Sequence, residues 1–500
     1  MNITIVGGGT IGWLSAFILS KKAPYHNITV IDSSKHPIIG VGEALTGLVT
    51  DLFLDKDFNL NEFEFLKDTW SLPKYGINFR NWQGNNEDIW SAIEGSTTCI
   101  ENFDRMFYYC LKENINLLYS SKSGLAVKNN NVPFYIKDNN LIFPNDRSYS
   151  YHIDAYKFSE FFKKKSTTVK VLDKSIIDVK TENNQITQLK FDDGDTHEAD
   201  FFIDATGFSK VLMSKLNNNI IDYSLSLPVN NALIFKPKSK IGERKQYSNA
   251  IARDFGWQFE IPTRNKIGRG YIYNSDFVTK DKIIKELENE YGKIDEVKQI
   301  KFKTYQLENS WVGNCLCLGL SASFLEPLQA SSLHIAITSL EYFYMNCLGQ
   351  NKQEILKDVT RKDYNNFVFN FNLDAIDFVQ ATYLTGRKDT IFWRYMNEHS
   401  QKSEKLSHLI DLVKHRLSRS TDFNNYINHV GQSNWNYTFE IMNIIDKNKI
   451  NRLFNTLRIN DDDVHDMYIK EKTQYNLDSI NNNYMTVEQL NDYLKDVENG

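Results

Sequence analysis

The sequence predicts an α/β protein with a Rossmann-like, dinucleotide-binding core, an interleaved β-rich region and a mostly helical C-terminal subdomain. Three observations carry this. An apolar N-terminal run breaks into Gly7, Gly9 and Gly12 and continues with helical composition. Several later stretches alternate large apolar and polar residues, as strands do. From about residue 350 the pattern turns helical and charged. Five hundred residues exceed a single core, so two or three domains are expected. No linker-like or low-complexity tract separates them. The expected division is therefore interleaved: 1–70, 150–215 and 310–346 form a discontinuous core, 71–149 and 216–309 a β-sheet substrate region, and 347–500 the helical subdomain.

Composition narrows the function. The chain is 41% hydrophobic and 24% charged with a net charge of −5, which argues against a nucleic-acid surface. No stretch approaches the roughly 20 apolar residues of a membrane span. The apolar start belongs to the nucleotide-binding strand, so no signal peptide is expected. The five cysteines (Cys99, Cys110, Cys315, Cys317, Cys347) are odd in number and lack metal-ligand spacing. Free thiols in a cytoplasmic protein without a metal fit this best.

In chain order, Ile3–Val6 reads as a strand, Gly7 to Gly12 as a turn, Trp13–Leu19 as a helix and Ile28–Ile31 as a second strand ending on Asp32. Such a turn brings backbone N–H groups, Thr10 among them, and a helix N-terminus up to a pyrophosphate. Glycine is needed where a Cβ would block the approach. Asp32 follows Gly12 at the distance from which an acid accepts a ribose hydroxyl. The motif alone does not separate FAD from NAD. Gly40, Gly42 and Glu43 suit a loop that hugs a flat ring or ribose, although alone they read as an ordinary glycine turn.

Tyr75, Ile77 and Phe79 alternate with Lys74, Gly76, Asn78 and Arg80, which predicts one strand with an apolar and a polar face. On physics alone Lys74, just after Pro73, is a solvated strand-end lysine. Asp154 is placed to cap a helix. Val169–Val171 and Gln188–Phe191 read as strands around an Asn183-Asn184 turn. Phe201 to Phe208 reads as a buried strand ending on Asp204 and Gly207. An acid there fits a second contact, to the ribityl or phosphate part of FAD, which an NAD site would not require; the cofactor reading is FAD. Phe255–Pro262 and Gly268–Tyr273 read as a hairpin, with ordinary core-facing aromatics as the bland alternative. Trp311–Leu320 reads as a buried strand with Cys315 and Cys317 as core. Ser321 to Leu333 then enters a helix running to about residue 346. The free N–H groups at its start favour an anion: flavin phosphate, reduced isoalloxazine or a halide. Asp461-Asp462-Asp463 lacks the glycine of a calcium loop and reads as a solvated turn.

Taken together, these motifs resemble the flavin-dependent halogenases of the tryptophan-halogenase family. The resemblance rests on Gly7/Gly9/Gly12, on Gly40/Gly42/Glu43, on Lys74-x-Gly76-Ile77-x-Phe79-x-x-Trp82 and on Asp204-x-x-Gly207-Phe208. It also rests on the run from Asn314 through Gly319-Leu320-Ser321 to Phe324-Leu325-Glu326-Pro327-Leu328, and on Arg387 to Arg394. It implies a GR2-type, flavin-monooxygenase-like core that holds FAD through Gly7, Gly9, Thr10, Gly12, Asp32, Gly40, Gly42, Glu43, Asp204, Gly207, Leu320 and Glu326. It further implies that reduced FAD, O2 and a halide (chloride, bromide or iodide) give hypohalous acid, which travels through a tunnel to an electron-rich aromatic substrate of indole or phenol type. Lys74 matches the catalytic lysine, which hydrogen-bonds that acid or forms a haloamine.

Two departures matter. The family's Trp-x-Trp-x-Ile-Pro barrier between flavin and substrate appears as Trp257-x-Phe259-x-Ile261-Pro262, which keeps the bulk and loses one indole N–H. The family's second glutamate beside the lysine is Gln329, an amide that neither pairs as a charge nor takes a proton. Halide coordination falls on Ser331 and Ser332, the latter replacing a glycine. These changes point away from free tryptophan. Trp435 and Tyr437 fall near the family's substrate aromatics, with core packing as the equal alternative. With a single nucleotide fingerprint, the reduced flavin is expected from a separate reductase. The competing readings are an FAD-dependent aromatic hydroxylase and a non-catalytic flavoprotein. The oligomeric state stays open.

Overall fold

The computed structural model describes residues 1–35, 42–93, 103–144, 149–238, 242–349, 351–355, 357–423, 427–457 and 462–499. Its first sheet has six strands in the order Lys170–Leu172, Asn27–Ile31, Asn2–Val6, Phe201–Asp204, Cys315–Cys317, Trp311–Val312. The first five run parallel, with Ile3 opposite Ile28 and Phe201, and Asp204 opposite Cys317. Their side chains are apolar on both faces, with Ile3, Ile5, Val30, Phe201 and Ile203 buried on one and Val6, Ile31 and Phe202 on the other, as a sheet covered on both sides requires. The Thr10–Lys22 helix packs on it through Trp13, Leu14, Phe17 and Leu19. Asn183 and Asn184 both have positive φ and turn the Ile176–Glu182 and Gln185–Phe191 strands into a hairpin.

A second sheet of seven strands runs Ile294–Lys301, Asn231–Pro237, Ile267–Tyr273, Gly256–Pro262, Tyr247–Arg253, Gly76–Arg80, Asp88–Ala92. The expected hairpin is present, with Phe259 opposite Gly270. A Cβ on Gly270 would come within 2.5 Å of the Phe259 ring, so that glycine makes the room for it. A small antiparallel sheet places Ser150–Ile153 between Glu43–Ala44 and Leu72–Lys74. From residue 352 onward the described elements are helical, led by the 24-residue helix Asp358–Ala381.

Three expectations need correction. The single strand from Lys74 to Arg80 is two strands in different sheets, because the Tyr75 amide turns away to donate to Gln246 O at 2.7 Å. Most of its polar face is not solvated either: Lys74 and Asn78 are buried, and only Arg80 at the far end is exposed. The Trp311–Leu320 strand is an antiparallel pair folded at Gly313, whose φ of 55° only glycine adopts freely. Asp462 and Asp463 open the helix Asp462–Asn481, where carboxylates suit the positive end of the dipole; Asp461 lies outside the described residues. Cys315, Cys317 and Cys347 are free and buried, Cys110 is buried too, and Cys99 also lies outside the described residues.

Candidate active site

The N-terminal turn is built for a ligand on one side and for packing on the other. A Cβ on Gly7 would meet Ala205 O at 2.4 Å, and one on Gly12 would meet Gly7 O at 1.8 Å, so these two let strand and helix close on each other. Gly9 is different: nothing lies within 4 Å of the position its Cβ would take. Gly9 also caps the Thr10–Lys22 helix without any side-chain hydrogen bond, so the first amides of that helix, Thr10 included, face the space beside it. An open cradle at a helix N-terminus fits a pyrophosphate. Asp32 sits at the end of the second strand with Oδ2 accepting from Trp13 Nε1 at 3.1 Å and paired to Lys163 Nζ at 2.9 Å. Gly8, which no motif singled out, yields the space for that carboxylate, since its Cβ would fall 1.8 Å from Asp32 Oδ1.

Asp204 is fully buried. Its carboxylate accepts from Thr206 N, Thr206 Oγ1 and Ser321 Oγ on one oxygen and from Leu212 N and Met213 N on the other. These bonds make it hold the 205–213 segment, in which Gly207 (φ 68°) has open space around it. Leu320 lies in the Gly319–Ser321 turn next to it, and its carbonyl accepts from Tyr305 OH. Gly42 has φ 97° and leads into Glu43, whose carboxyl burial pushes up to about 7, with Asp154 adding to the shift. Glu43 is half-buried by area yet sits deep in the protein volume. Gly40 lies outside the described residues.

Lys74 is 2% exposed and donates to Leu45 O at 3.1 Å. Among the described residues no carboxylate pairs with it, and burial pulls its ammonium down to about 7. A lysine in this state is part amine near neutral pH, chemically able to act as donor or nucleophile.

The turn from Glu326 to Ser332 places Ala330 at φ 57°, ψ 29°, a left-handed conformation that costs a non-glycine residue about 1 kcal/mol or more. The Ser331–Tyr342 helix starts there without a side-chain cap. Ser331 is buried with its Oγ unpartnered, Ser332 Oγ is 3.4 Å from Leu325 O, and Gln329 is half-buried. Glu326, expected with the cofactor, has its Oε2 on the barrier instead. It accepts from Trp257 Nε1 at 2.7 Å and from Tyr383 OH at 2.6 Å, while Oε1 has no partner. Burial pushes this carboxyl up to about 7 against those two hydrogen bonds.

Trp257, Phe259 and Pro262 are all buried on one strand, and Trp257 packs with Trp82, which in turn meets Tyr383 and Trp393. Sequence reasoning missed Tyr383, because no local motif marks it. The Arg387–Arg394 run buttresses this wall: the Arg387 guanidinium lies over the Trp393 ring and donates to Asn81 O. Trp435 is packed against Phe378 and Phe439, and Tyr437 OH donates to Trp90 O, so both read as core.

The family model for tryptophan halogenases matches residues 2–454. The chain belongs to the tryptophan halogenase family. Membership favours a halogenase over a hydroxylase. A tryptophan 7-halogenase of Kutzneria sp. (strain 744) is 28% identical over 431 residues, covering 79% of this chain and 78% of its own. A second tryptophan 7-halogenase, RebH of Lentzea aerocolonigenes, is 27% identical over 444 residues, covering 83% and 82%. The structure of Tar14, a tryptophan C-6 flavin-dependent halogenase from taromycin biosynthesis, superposes with a TM-score of 0.87 at 22% identity over 99% of both chains, which shows the fold. Among the described residues no helix of this family member is long and apolar enough to cross a membrane, and no His, Cys, Asp or Glu cluster is arranged to hold a metal.

Proposed function

We propose that this halogenase uses Lys74 to direct a halogen onto an electron-rich indole- or phenol-type substrate other than free tryptophan. The observation that carries the reading is the buried lysine without a carboxylate partner, held at about 7 by desolvation alone. FAD would lie along Gly7, Gly9, Thr10, Gly12 and Asp32, with Gly42, Glu43, Gly207 and Leu320 around its remaining parts. When bound and reduced by a separate reductase, FAD with O2 and a halide supplies hypohalous acid. The amides of Ser331 and Ser332, at the uncapped helix start, hold the halide. Trp257, Phe259 and Pro262, with Glu326 and Tyr383 behind Trp257, keep the substrate ring away from the flavin.

Lys74 then meets hypohalous acid in one of two protonation states. As ammonium it polarises the departing hydroxide by hydrogen bonding. As amine it forms the N–halogen bond while the O–halogen bond breaks and water leaves. In either case the ring loses a proton and gains the halogen, and the Gln329 amide takes no part as a base.

The test is direct. The protein is incubated with a flavin reductase, FAD, NADH, each halide in turn and a panel of phenols and indoles, with products read by mass spectrometry. Halide-dependent products support the reading, and hydroxylated or absent products refute it. NADH oxidation by the purified protein and FAD alone, at a catalytic rate, would refute the need for a reductase.

A further inference from the structure

The small three-stranded sheet sets Lys74 opposite Ser150 and Leu72 opposite His152. Residues directly opposite share a face, and so do residues two apart along a strand. Lys74 and His152 are therefore diagonal neighbours on one face, roughly 7–8 Å apart at the backbone and within reach of a long side chain. Both are buried, at 2% and 0% exposure. Lys74 donates one hydrogen bond, to Leu45 O, which leaves two N–H of an ammonium. His152 shares a hydrogen bond between Nε2 and Ser248 Oγ at 2.9 Å, and its Nδ1 has no partner. Burial, with the Lys74 charge adding to it, holds His152 well below its usual pKa, so the ring is neutral. In the tautomer that donates Nε2–H to Ser248 Oγ, the neutral ring presents Nδ1 as an acceptor. An ammonium with N–H to spare and an unpartnered ring nitrogen thus share one face of the sheet, and buried polar atoms are rarely left so.

We propose that His152 is the positioning residue of Lys74: its imidazole, oriented by Ser248, accepts an N–H of the lysine and so aims the lysine nitrogen at the incoming halogen. This rests on the halogenase reading of Lys74. The steps balance. Lys74 reacts as the amine, which its pKa of about 7 supplies near neutral pH, with one N–H held by His152. The amine nitrogen bonds the halogen of hypohalous acid, the O–halogen bond breaks, and hydroxide leaves with one amine proton as water. The N–halogen bond then breaks as a ring carbon bonds the halogen, and the ring proton goes to the lysine nitrogen. Among the described residues no other group considered for this role fits it. Gln329 is an amide. Glu43 lies opposite Ile153, on the alternate face. Asp154 is ion-paired to Lys266 at 2.8 Å. Glu62 takes the hydroxyls of Tyr149 and Tyr151, also on the alternate face.

The test labels Lys74 with cyanate, which carbamoylates only neutral amines, in the oxidised full-length protein without reductant from pH 5.5 to 9.5. The Lys74 peptide is quantified by mass spectrometry. In the wild type the labelling midpoint falls near 7. His152→Phe, which removes the acceptor, lowers the midpoint by about one unit or more, since a neutral acceptor favours the charged lysine. His152→Gln, which keeps an acceptor, leaves it within about half a unit of the wild type. In His152→Phe the halogenation kcat falls about tenfold or more while KM stays within about twofold, because the lysine nitrogen is no longer held in place, whereas His152→Gln keeps kcat within about threefold. Should His152→Phe not fold, Ser248→Ala carries the test and moves the midpoint the same way. An unchanged or raised midpoint overturns the proposal. So does a wild-type Lys74 that cyanate never labels, because a molecule of similar size must reach that nitrogen. Labelling does not depend on turnover, so a wild type that yields no halogenated product would refute the halogenase reading separately.

Discussion

Trp257 Nε1 donates to Glu326 Oε2 at 2.7 Å, and this bond ties the barrier strand to the turn that opens the anion site. Tyr383 OH closes the same oxygen from the helical region, 57 residues further along the chain. Barrier and anion turn are therefore one hydrogen-bonded unit, and a carboxyl that burial holds near 7 sits at its centre.

Glu326→Gln keeps an acceptor for both donors and removes the titration. A carboxyl raised from 4.5 to about 7 on folding imposes no cost below its unfolded value. The cost grows as pH rises and is complete above about 7, where it amounts to about 3 kcal/mol. Urea unfolding at pH 5 and pH 8 should show the stability of Glu326→Gln rising relative to wild type by about 2 to 3 kcal/mol between the two. A difference that does not change with pH would rule out the buried titration.

Gly9→Ala and Gly12→Ala should separate binding from folding. The Gly9 methyl meets nothing in the protein, so the fold and urea midpoint are retained, whereas FAD affinity falls about tenfold or more as the pyrophosphate loses its approach. The Gly12 methyl would lie 1.8 Å from Gly7 O, so that variant loses stability before any cofactor is added. Flavin fluorescence titration and unfolding curves of the apoprotein check both. Equal FAD affinity in Gly9→Ala and wild type would move the pyrophosphate elsewhere.

Ala330 stores backbone strain at the mouth of the anion turn, with φ at 57°. Ala330→Gly should stabilise the protein by about 0.5–1 kcal/mol through relief of that strain. Ala330→Val should destabilise it by about 2 kcal/mol, because β-branching makes the left-handed region least accessible. Chemical denaturation of the three proteins orders them; Val at or above Ala would show that the turn relaxes instead.

Part of this site was legible because it is local. Strand, glycine turn, helix and Asp32 follow one another within 32 residues, and Asn183-Asn184 carries its own turn chemistry. What depends on distant partners was not. The alternation around Lys74 is the same whether its polar face meets water or a buried polar pocket, and only the Ser150–Ile153 strand decides that. The donors that Asp204 accepts from, Leu212, Met213 and Ser321 among them, are invisible from the Asp-x-x-Gly motif. Tyr383 sits on no motif at all, and its contact with Glu326 exists only once sheet and helices have packed.

Lys74→Met should trade function for stability. The methionine keeps length and bulk in the pocket, so FAD still oxidises in O2 when the reductase supplies it, but regioselective halogenated product disappears. The lysine is lowered from 10.5 to about 7 on folding, so below about 7 it imposes its full burial cost, and that cost fades as pH rises toward 10.5. The stability gain of Lys74→Met is therefore largest in acid, at least about 2 kcal/mol at pH 6, and smaller at pH 9. Urea midpoints at the two pH values, with product analysis by mass spectrometry, test both halves. Surviving regioselectivity would end the assignment of Lys74, and a stability gain that grows with pH would show that the lysine is not buried as an unpaired charge.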